Sequence, residues 1–180
     1  MSDFTLLCIS GSLRQDACNR RLLREAARTF GEAQVIEADL RLPLFDEDLQ
    51  NADGIPVAVQ RLADQIGAAD AVLISTPEYN KNLSGVLKNA LDWVSRVEGN
   101  PWKDKPVALM AAASGRAGGE RAMNSLVLCM MPFRARLVYG PEIFVARCNE
   151  AFDADGRLKD EGSVKFLGIL MNKLRGVLED

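Results

Sequence analysis

Short apolar segments of strand length recur along the chain, separated by longer segments of mixed polarity. Residues 71–74 and 107–110 are apolar at successive positions, so both faces of these strands are expected to be covered. Such strands are typical of a parallel sheet that lies between two layers of helices. The pattern predicts strands over residues 4–10, 33–38, 70–76, 106–113 and 142–146.

Between and after these strands, apolar residues recur every three to four positions, as on one face of a helix. This spacing predicts helices over residues 19–30, 56–67, 85–97, 118–131 and 161–178. The turn-rich stretch 46–54 is interpreted as a surface loop. Alternating strands and helices predict an α/β fold: a doubly wound, five-stranded parallel sheet with helices on both faces, formed by residues 1–180 as a single domain.

The amino-acid composition excludes several catalytic mechanisms and classes of partner. Histidine does not occur among the 180 residues, which excludes Ser-His-Asp and Cys-His catalysis and removes the commonest zinc ligand. We predict no metal site, and a bound cofactor is one way to supply the missing chemistry. The 22 basic and 25 acidic residues give a formal charge of -3, with no run of five like charges, so neither nucleic acid nor a membrane is an expected partner.

The N-terminal segment and the cysteines indicate the compartment. Asp3 is acidic where a signal peptide needs basic residues, and the apolar stretch that follows is too short to span a bilayer, so we expect a cytoplasmic protein. The four cysteines are widely and irregularly spaced, without a C-x-x-C pair, and we expect them to be free thiols.

Loops that leave the carboxyl ends of parallel strands converge on one crevice, where ligands bind in such folds. The first of these loops runs from Gly11 through Ser12 and Arg14 to Asn19 and opens a helix. Its hydroxyl, guanidinium, amide and backbone N–H donors would suit a phosphate group. The alternative is a tight turn in which Asn19 caps the helix and Arg14 is solvated.

The second and third loops would complete the crevice. Residues Pro77, Glu78, Tyr79 and Asn80 form a rigid loop that can wall a flat ring, or else simply turn the chain before a helix capped by Ser84. The third loop, residues 114–119, has three glycines that allow the backbone to approach a ligand closely. In it, Ser114, Gly115 and Arg116 are candidate contacts, and Arg116 could equally be solvated.

The motifs in order resemble those of the NADPH-dependent FMN reductase family, which includes bacterial chromate and quinone reductases. They are G-S-L-R at residues 11–14 with Asn19, then P-E-Y-N at 77–80, then G-V-L-K-N-A-L-D-W at 85–93, and the resemblance extends to about Arg121. It implies a flavodoxin-like fold, a homodimer or homotetramer, and FMN as cofactor. The FMN phosphate would be held by Ser12, Arg14 and Asn19, and its ring would lie against residues 77–80, with a further contact from residues 114–115.

Two positions depart from the family pattern. Ala17 stands where the family usually has serine, which removes one phosphate hydroxyl, and Ser84 stands where it commonly has proline, which we expect to loosen the second loop.

The resemblance also implies an activity. Hydride would pass from NADPH or NADH to FMN, and electrons would then pass to a small-molecule acceptor by a ping-pong mechanism. Quinones, chromate, ferric chelates, azo compounds and free flavin are all candidate acceptors. Glu78 would either position a substrate or cap a turn. Arg96 would be solvated in the monomer or, across a two-fold axis, reach the partner's cofactor as a second catalytic residue.

Two other functions are compatible with the sequence. One is an FMN-binding electron carrier without turnover of its own, although carriers usually have strongly acidic docking surfaces. The other is a thiol phosphatase, because Cys8 and Arg14 form a C-x5-R spacing around the first loop. Cys8 lies within an apolar run, which favours a buried thiol over a reactive one.

Overall fold

A parallel sheet forms the centre of the protein. The computed structural model describes residues 4–179, and Asp3 lies outside the described residues. Its strands are β1 Thr5–Ser10, β2 Gln34–Glu37, β3 Ala71–Thr76, β4 Pro106–Ala112, β5 Arg136–Leu137 and β6 Phe144–Val145. The strands of the sheet pair in parallel, in the order β2-β1-β3-β4, and both β5 and β6 pair with β4 at its other edge.

Helices cover both faces of this sheet. The helices are α1 Cys18–Phe30, α2 Glu47–Asp53, α3 Val57–Ala68, α4 Gly85–Val94, α5 Glu120–Met130 and α6 Glu161–Glu179, with a 3₁₀ turn at Met131–Phe133. Leu6 and Leu73 pack against α1 and α6 on one face, whereas Leu7 and Ile74 pack against α3, α4 and α5 on the other. The doubly wound α/β prediction is therefore confirmed.

The prediction of a surface loop at residues 46–54 was wrong, because helix α2 occupies most of this stretch. The Asp46 side chain caps its first turn by accepting a hydrogen bond from the backbone N–H of Asp48 at 2.9 Å. Gly54, with a φ of +78°, ends it. None of its residues is buried, so there is no apolar stripe by which sequence periodicity could reveal it.

The fifth strand is interrupted. The sequence predicts one strand over residues 142–146 as the neighbour of β4. In the structure two short strands lie there instead: β5 pairs with the first residues of β4 and β6 pairs with its last residues. A strand of two residues such as β5 is too short to produce an alternating pattern.

Two helix ends also differ from prediction. Helix α4 ends at Val94 rather than at residue 97. Helix α5 starts at Glu120, because Gly118 and Gly119 adopt φ values of +63° and +100°, which are not helical.

The strand order places a switch point between β1 and β3. The chain leaves β1 towards β2 on one side and later returns to add β3 on the other, so the loops after β1 and β3 diverge and leave a crevice. Among residues 4–179, no helix has both the length and the apolar character that crossing a bilayer requires.

Candidate functional site

A pocket of about 150 Å³ opens at this switch point, at the carboxyl ends of the central strands. Each of the three loops singled out in the sequence contributes to it, as does the turn that follows β6. The lining residues are Ser12, Arg14, Ala17, Cys18, Asn19, Pro77, Glu78, Tyr79, Ala112, Ala113, Ser114, Cys148 and Asn149.

The first two loops are packed tightly against each other at Gly11. A Cβ atom at Gly11 would lie 2.9 Å from Pro77 Cδ and 3.0 Å from Ser84 Oγ, so no side chain fits there. Ser84 Oγ donates a hydrogen bond to the Gly11 carbonyl at 2.6 Å and accepts one from the Leu87 N–H at the start of α4. Ser84 is buried, and its two hydrogen bonds hold the second loop in place, whereas the sequence predicted a looser loop.

The start of helix α1 points backbone donors towards the pocket. Ala17 occupies the N-cap position without a side-chain cap, and the first helical hydrogen bonds run from the Arg20 and Arg21 N–H groups to its carbonyl. The N–H groups of Cys18 and Asn19 precede this ladder, as the first donors of any helix do. A helix start of this kind attracts anions.

The side chain of Asn19 forms hydrogen bonds with strands β3 and β4 beneath the pocket. Its Oδ1 accepts hydrogen bonds from Ser75 Oγ at 2.7 Å and from the Ala112 N–H at 3.1 Å, and its Nδ2 donates to the Ala112 carbonyl at 3.0 Å. The side chain therefore joins α1 to β3 and β4 instead of capping the helix. What Asn19 offers a ligand is chiefly its backbone N–H.

Ser12 and Arg14 occupy different depths of the pocket. Ser12 is buried, and its backbone N–H donates to Ser10 Oγ at 3.2 Å, which fixes the course of the loop. Arg14 is exposed at the rim, where its guanidinium is free to meet an anion. The two residues can therefore contact a phosphate group from two sides, Ser12 from within the pocket and Arg14 from its rim.

The second loop ends in a tight turn. The backbones of Tyr79 and Asn82 bond to each other at 3.0 and 3.1 Å, and Asn80 and Lys81 between them have φ values of +51° and +67°. Two successive positive φ values define a type I′ turn, for which asparagine is well suited. Pro77, Glu78 and Tyr79 line the pocket, whereas Asn80 lies in the turn outside its lining.

Glu78 connects the second loop to the start of helix α5. Its carboxylate accepts a hydrogen bond from the backbone N–H of Arg121 at 3.2 Å, and its Oε1 lies 3.4 Å from the Arg121 guanidinium. Arg121 is the second residue of α5, so the carboxylate sits at the positive end of that helix. Its negative charge is thereby balanced within the chain.

Only part of the third loop reaches the pocket. Ser114 lines it, while Gly115 and Arg116 do not. The Gly115 carbonyl instead accepts hydrogen bonds from the backbone N–H groups of Gly118 and Arg147, both at 3.3 Å. Arg116 is exposed.

Arg96 lies away from this pocket in its own chain, beyond the end of α4. Its Nε donates to Gln50 Oε1 at 3.0 Å, and its guanidinium lies 5.9 Å from the centre of the Phe45 ring. A weaker contact joins it to Glu47 at 3.5 Å. Arg96 is thus held by helix α2 and the segment before it, rather than only by solvent as we had expected for the monomer.

Two of the four cysteines line the pocket, and Cys8 does not. Cys8 is buried in β1, where burial raises the pKa of its thiol to about 12, and it does not line the pocket. Cys18 and Cys148 do line it, together with Asn149. We did not single out these pocket residues from the sequence. The turn after β6 belongs to the same sheet edge as the other loops, and this placement was the available signal.

All four cysteines are free thiols, as expected. Within the described part of the chain, no group of three or more Cys, Asp and Glu side chains is arranged to hold a metal ion.

Comparison with known proteins agrees with the motifs. The family model for NADPH-dependent FMN reductase matches residues 4–150. An NAD(P)H-dependent FMN reductase of Pseudomonas aeruginosa is 40% identical over 183 aligned residues, covering 97% of this chain and 98% of the relative. A quinone reductase of Escherichia coli is 34% identical over 166 residues, covering 90% and 88%.

A solved structure agrees in fold over nearly the full length. FerB, a flavoenzyme NAD(P)H:(acceptor) oxidoreductase from Paracoccus denitrificans, superposes with a TM-score of 0.86 at 34% identity, covering 98% of this chain and 97% of that one. With this match, the flavodoxin-like fold is confirmed. The chain belongs to the NADPH-dependent FMN reductase family.

Proposed function

We propose that this protein is an FMN-dependent NAD(P)H:quinone oxidoreductase, built as one FMN-binding domain. The observation that carries the proposal is the pocket at the β1/β3 switch point, where an anion-attracting helix start faces a rigid loop able to wall a flat ring. When bound, FMN supplies the redox chemistry, taking hydride from NAD(P)H and returning electrons to an acceptor.

The chemistry of the lining suits a phosphate group at one end of the pocket. Ser12 and the N–H groups of Cys18 and Asn19 would donate to it from the floor, while Arg14 would close over it from the rim. The one carboxylate of the lining, Glu78, is engaged by Arg121 and so does not oppose an anion. Ala17 leaves the phosphate without the hydroxyl that serine would add.

Pro77, Glu78 and Tyr79 would form the wall against the ring. Pro77 is buried against Gly11, and the type I′ turn after Tyr79 holds the end of the wall. Tyr79 is 53% exposed and offers its ring to solvent or to a substrate. The residues orient the donor and acceptor and exclude water, and no side-chain base is required.

Donor and acceptor would use this open side of the pocket in turn, which gives ping-pong kinetics. Quinones are the proposed acceptors, because several relatives carry quinone reductase in their names. Chromate, ferric chelates, azo compounds and free flavin remain further proposed acceptors. A cytoplasmic location is also part of the proposal.

Of the two arginines that the sequence suggested as FMN contacts, Arg14 lines the pocket and Arg116 does not. We expect Arg14→Ala to weaken FMN binding about tenfold or more, since it removes a charge-assisted hydrogen bond. Arg116→Ala should change it by less than about twofold, because Arg116 does not line the pocket. Fluorescence titration of FMN measures both. Equal losses would contradict the placement of the phosphate beside Arg14.

Assembly as a homodimer or homotetramer belongs to the proposal, and with it the catalytic role of Arg96. Arg96 could act only on a partner's pocket, because its own chain holds it against Gln50 and Phe45. Arg96→Ala should then raise the KM for NAD(P)H while FMN stays bound. Unchanged kinetics, or only monomer in light scattering, would end this part of the proposal.

The two rival functions predict different behaviour. An electron carrier would bind FMN but would not oxidise NAD(P)H at a steady rate with a quinone present. A thiol phosphatase would hydrolyse p-nitrophenyl phosphate and lose this activity in Cys8→Ser. The burial of Cys8 argues against the phosphatase, because its thiol stays protonated near neutral pH.

A further inference from the structure

Two cysteines meet at the phosphate end of the pocket. Cys18 is the first residue of α1, and Cys148 lies in the turn after β6. Cys18 Sγ donates a hydrogen bond to Asn149 Oδ1 at 3.6 Å, which places its sulfur beside the residue next to Cys148. Cys18 and Cys148 both line the pocket, and Cys18 and the charge of Arg14 both influence the pKa of the Cys148 thiol.

The two thiols differ in access. Cys148 is 6% exposed, and its backbone N–H is fixed by a hydrogen bond to the Ala113 carbonyl at 3.1 Å. Cys18 is half-buried and opens to the pocket. Burial, and to a smaller extent the neighbouring Cys18, raises the pKa of the Cys148 thiol to about 12. Cys148 therefore holds its proton, and the more accessible Cys18 meets a reagent first.

We infer that Cys18 and Cys148 form a redox-active dithiol, a site of reversible oxidation by hydroperoxides, and that its disulfide weakens FMN binding. The second half of this inference rests on the proposed function. The first half concerns the two thiols alone.

The oxidation proceeds in two balanced steps. The Cys18 sulfur attacks the terminal oxygen of a hydroperoxide, the O–O bond breaks, and the alcohol leaves with the thiol proton, which gives a sulfenic acid at Cys18. The Cys148 thiol then passes its proton to the departing hydroxide as its sulfur attacks this sulfur, so that an S–S bond replaces the S–O bond and water leaves. Two electrons pass from the thiols to the hydroperoxide.

The disulfide would weaken FMN binding because it would join the first turn of α1 to the turn after β6. An S–S bond is about 2.05 Å long, much shorter than a contact between two thiols. Closing it draws the first turn of α1 towards the turn after β6, and this first turn carries the Cys18 and Asn19 N–H groups. We expect FMN to bind about tenfold more weakly, as when one hydrogen bond to a charged group is lost.

The test uses the full chain loaded with FMN and treated with hydrogen peroxide. Mass spectrometry of the digest should find one peptide linked through Cys18 and Cys148, with the loss of two hydrogens. Flavin fluorescence should report release of FMN, with rebinding after addition of dithiothreitol. Cys129→Ser should retain both effects, because Cys129 lies on α5 outside the pocket.

Cys148→Ser should abolish the linked peptide and the effect of peroxide on FMN binding. Cys18→Ser tests the same point if the buried Cys148 does not tolerate the change. Absence of the linked peptide while Cys18 is oxidised to sulfinic acid would overturn the inference, as would a disulfide that leaves FMN affinity unchanged. A reduced protein that binds no FMN would overturn the proposed function instead, and the linked peptide would still decide whether the dithiol exists.

Discussion

The carboxylate of Glu78 accepts a hydrogen bond from the backbone N–H of Arg121 at 3.2 Å, so the wall of the pocket is tied to the start of α5. The accompanying ion pair with the Arg121 guanidinium is longer, at 3.4 Å. The Glu78 side chain is 15% exposed, whereas that of Arg121 is 56% exposed. We therefore ascribe most of the stabilisation to the backbone contact.

Replacing each partner separates these two contacts. Glu78→Ala should lower the free energy of unfolding by about 1 kcal/mol, because a helix start loses its acceptor. Arg121→Ala keeps the backbone N–H and should cost less than about 0.5 kcal/mol, as expected for an exposed ion pair. Urea unfolding of the two variants measures the difference, and equal losses would show that the guanidinium dominates.

Ser84 provides a second test of how the pocket loops are held. Ser84→Ala removes both the cap of α4 and the bond to the Gly11 carbonyl and should cost about 1–3 kcal/mol. Ser95→Ala is the matched control, since Ser95 Oγ donates to the Asp92 carbonyl at an exposed site. It should change stability by less than about 0.5 kcal/mol. A neutral Ser84→Ala would support the looser loop expected from the sequence.

Gly118 tests the close approach of the third loop to the sheet. A Cβ atom there would lie 2.7 Å from the backbone carbon of Phe144, and the φ of +63° disfavours any side chain. Gly118→Ala should therefore destabilise the protein by about 2 kcal/mol or more. In Gly115→Ala the added Cβ meets no atom within 4 Å, and stability should change by less than about 0.5 kcal/mol. Thermal unfolding of both variants gives the comparison.

The sequence predicted the covered strands and most helices to within three residues, because burial on both faces leaves long apolar runs and burial on one face leaves a clear stripe. Helix α2 was missed because it buries none of its residues. Its ends were nevertheless marked by the cap at Asp46 and by Gly54. The split of the fifth strand depends on pairing with β4, which no local pattern reports.

The sequence also predicted which loops lie together at the pocket, but it did not show which side chains face the pocket. The order of the strands is enough to place the 11–19 and 77–80 loops at one edge. Whether Asn80 faces the ligand or the turn depends on its φ, and whether Asn19 serves a ligand or the sheet depends on the distance to Ser75. Both depend on tertiary packing.

Cys8 predicts how stability depends on pH in alkaline solution. Burial raises the pKa of its thiol from 9.0 to about 12, so the folded state holds its proton more tightly than the unfolded state does. The contribution to stability is complete below pH 9 and falls as the pH rises from 9 towards 12, by at most about 1.4 kcal/mol per pH unit. Cys148 acts in the same direction.

Urea unfolding between pH 8 and about pH 10.5 measures this decline. Cys8→Ala should lower the stability at pH 8 through the lost packing but flatten the decline above pH 9. An unchanged slope would mean that Cys8 is not the group responsible.

The central claim is that this chain binds FMN and uses it to oxidise NAD(P)H. The most direct measurement is the visible spectrum of the purified protein, supplied with FMN and titrated with NADH or NADPH in the absence of oxygen. We predict that the blue absorption band of the flavin bleaches and returns when a quinone is added. A protein that remains colourless and ignores added FMN would contradict the claim, and a yellow protein that NAD(P)H does not bleach would indicate an electron carrier.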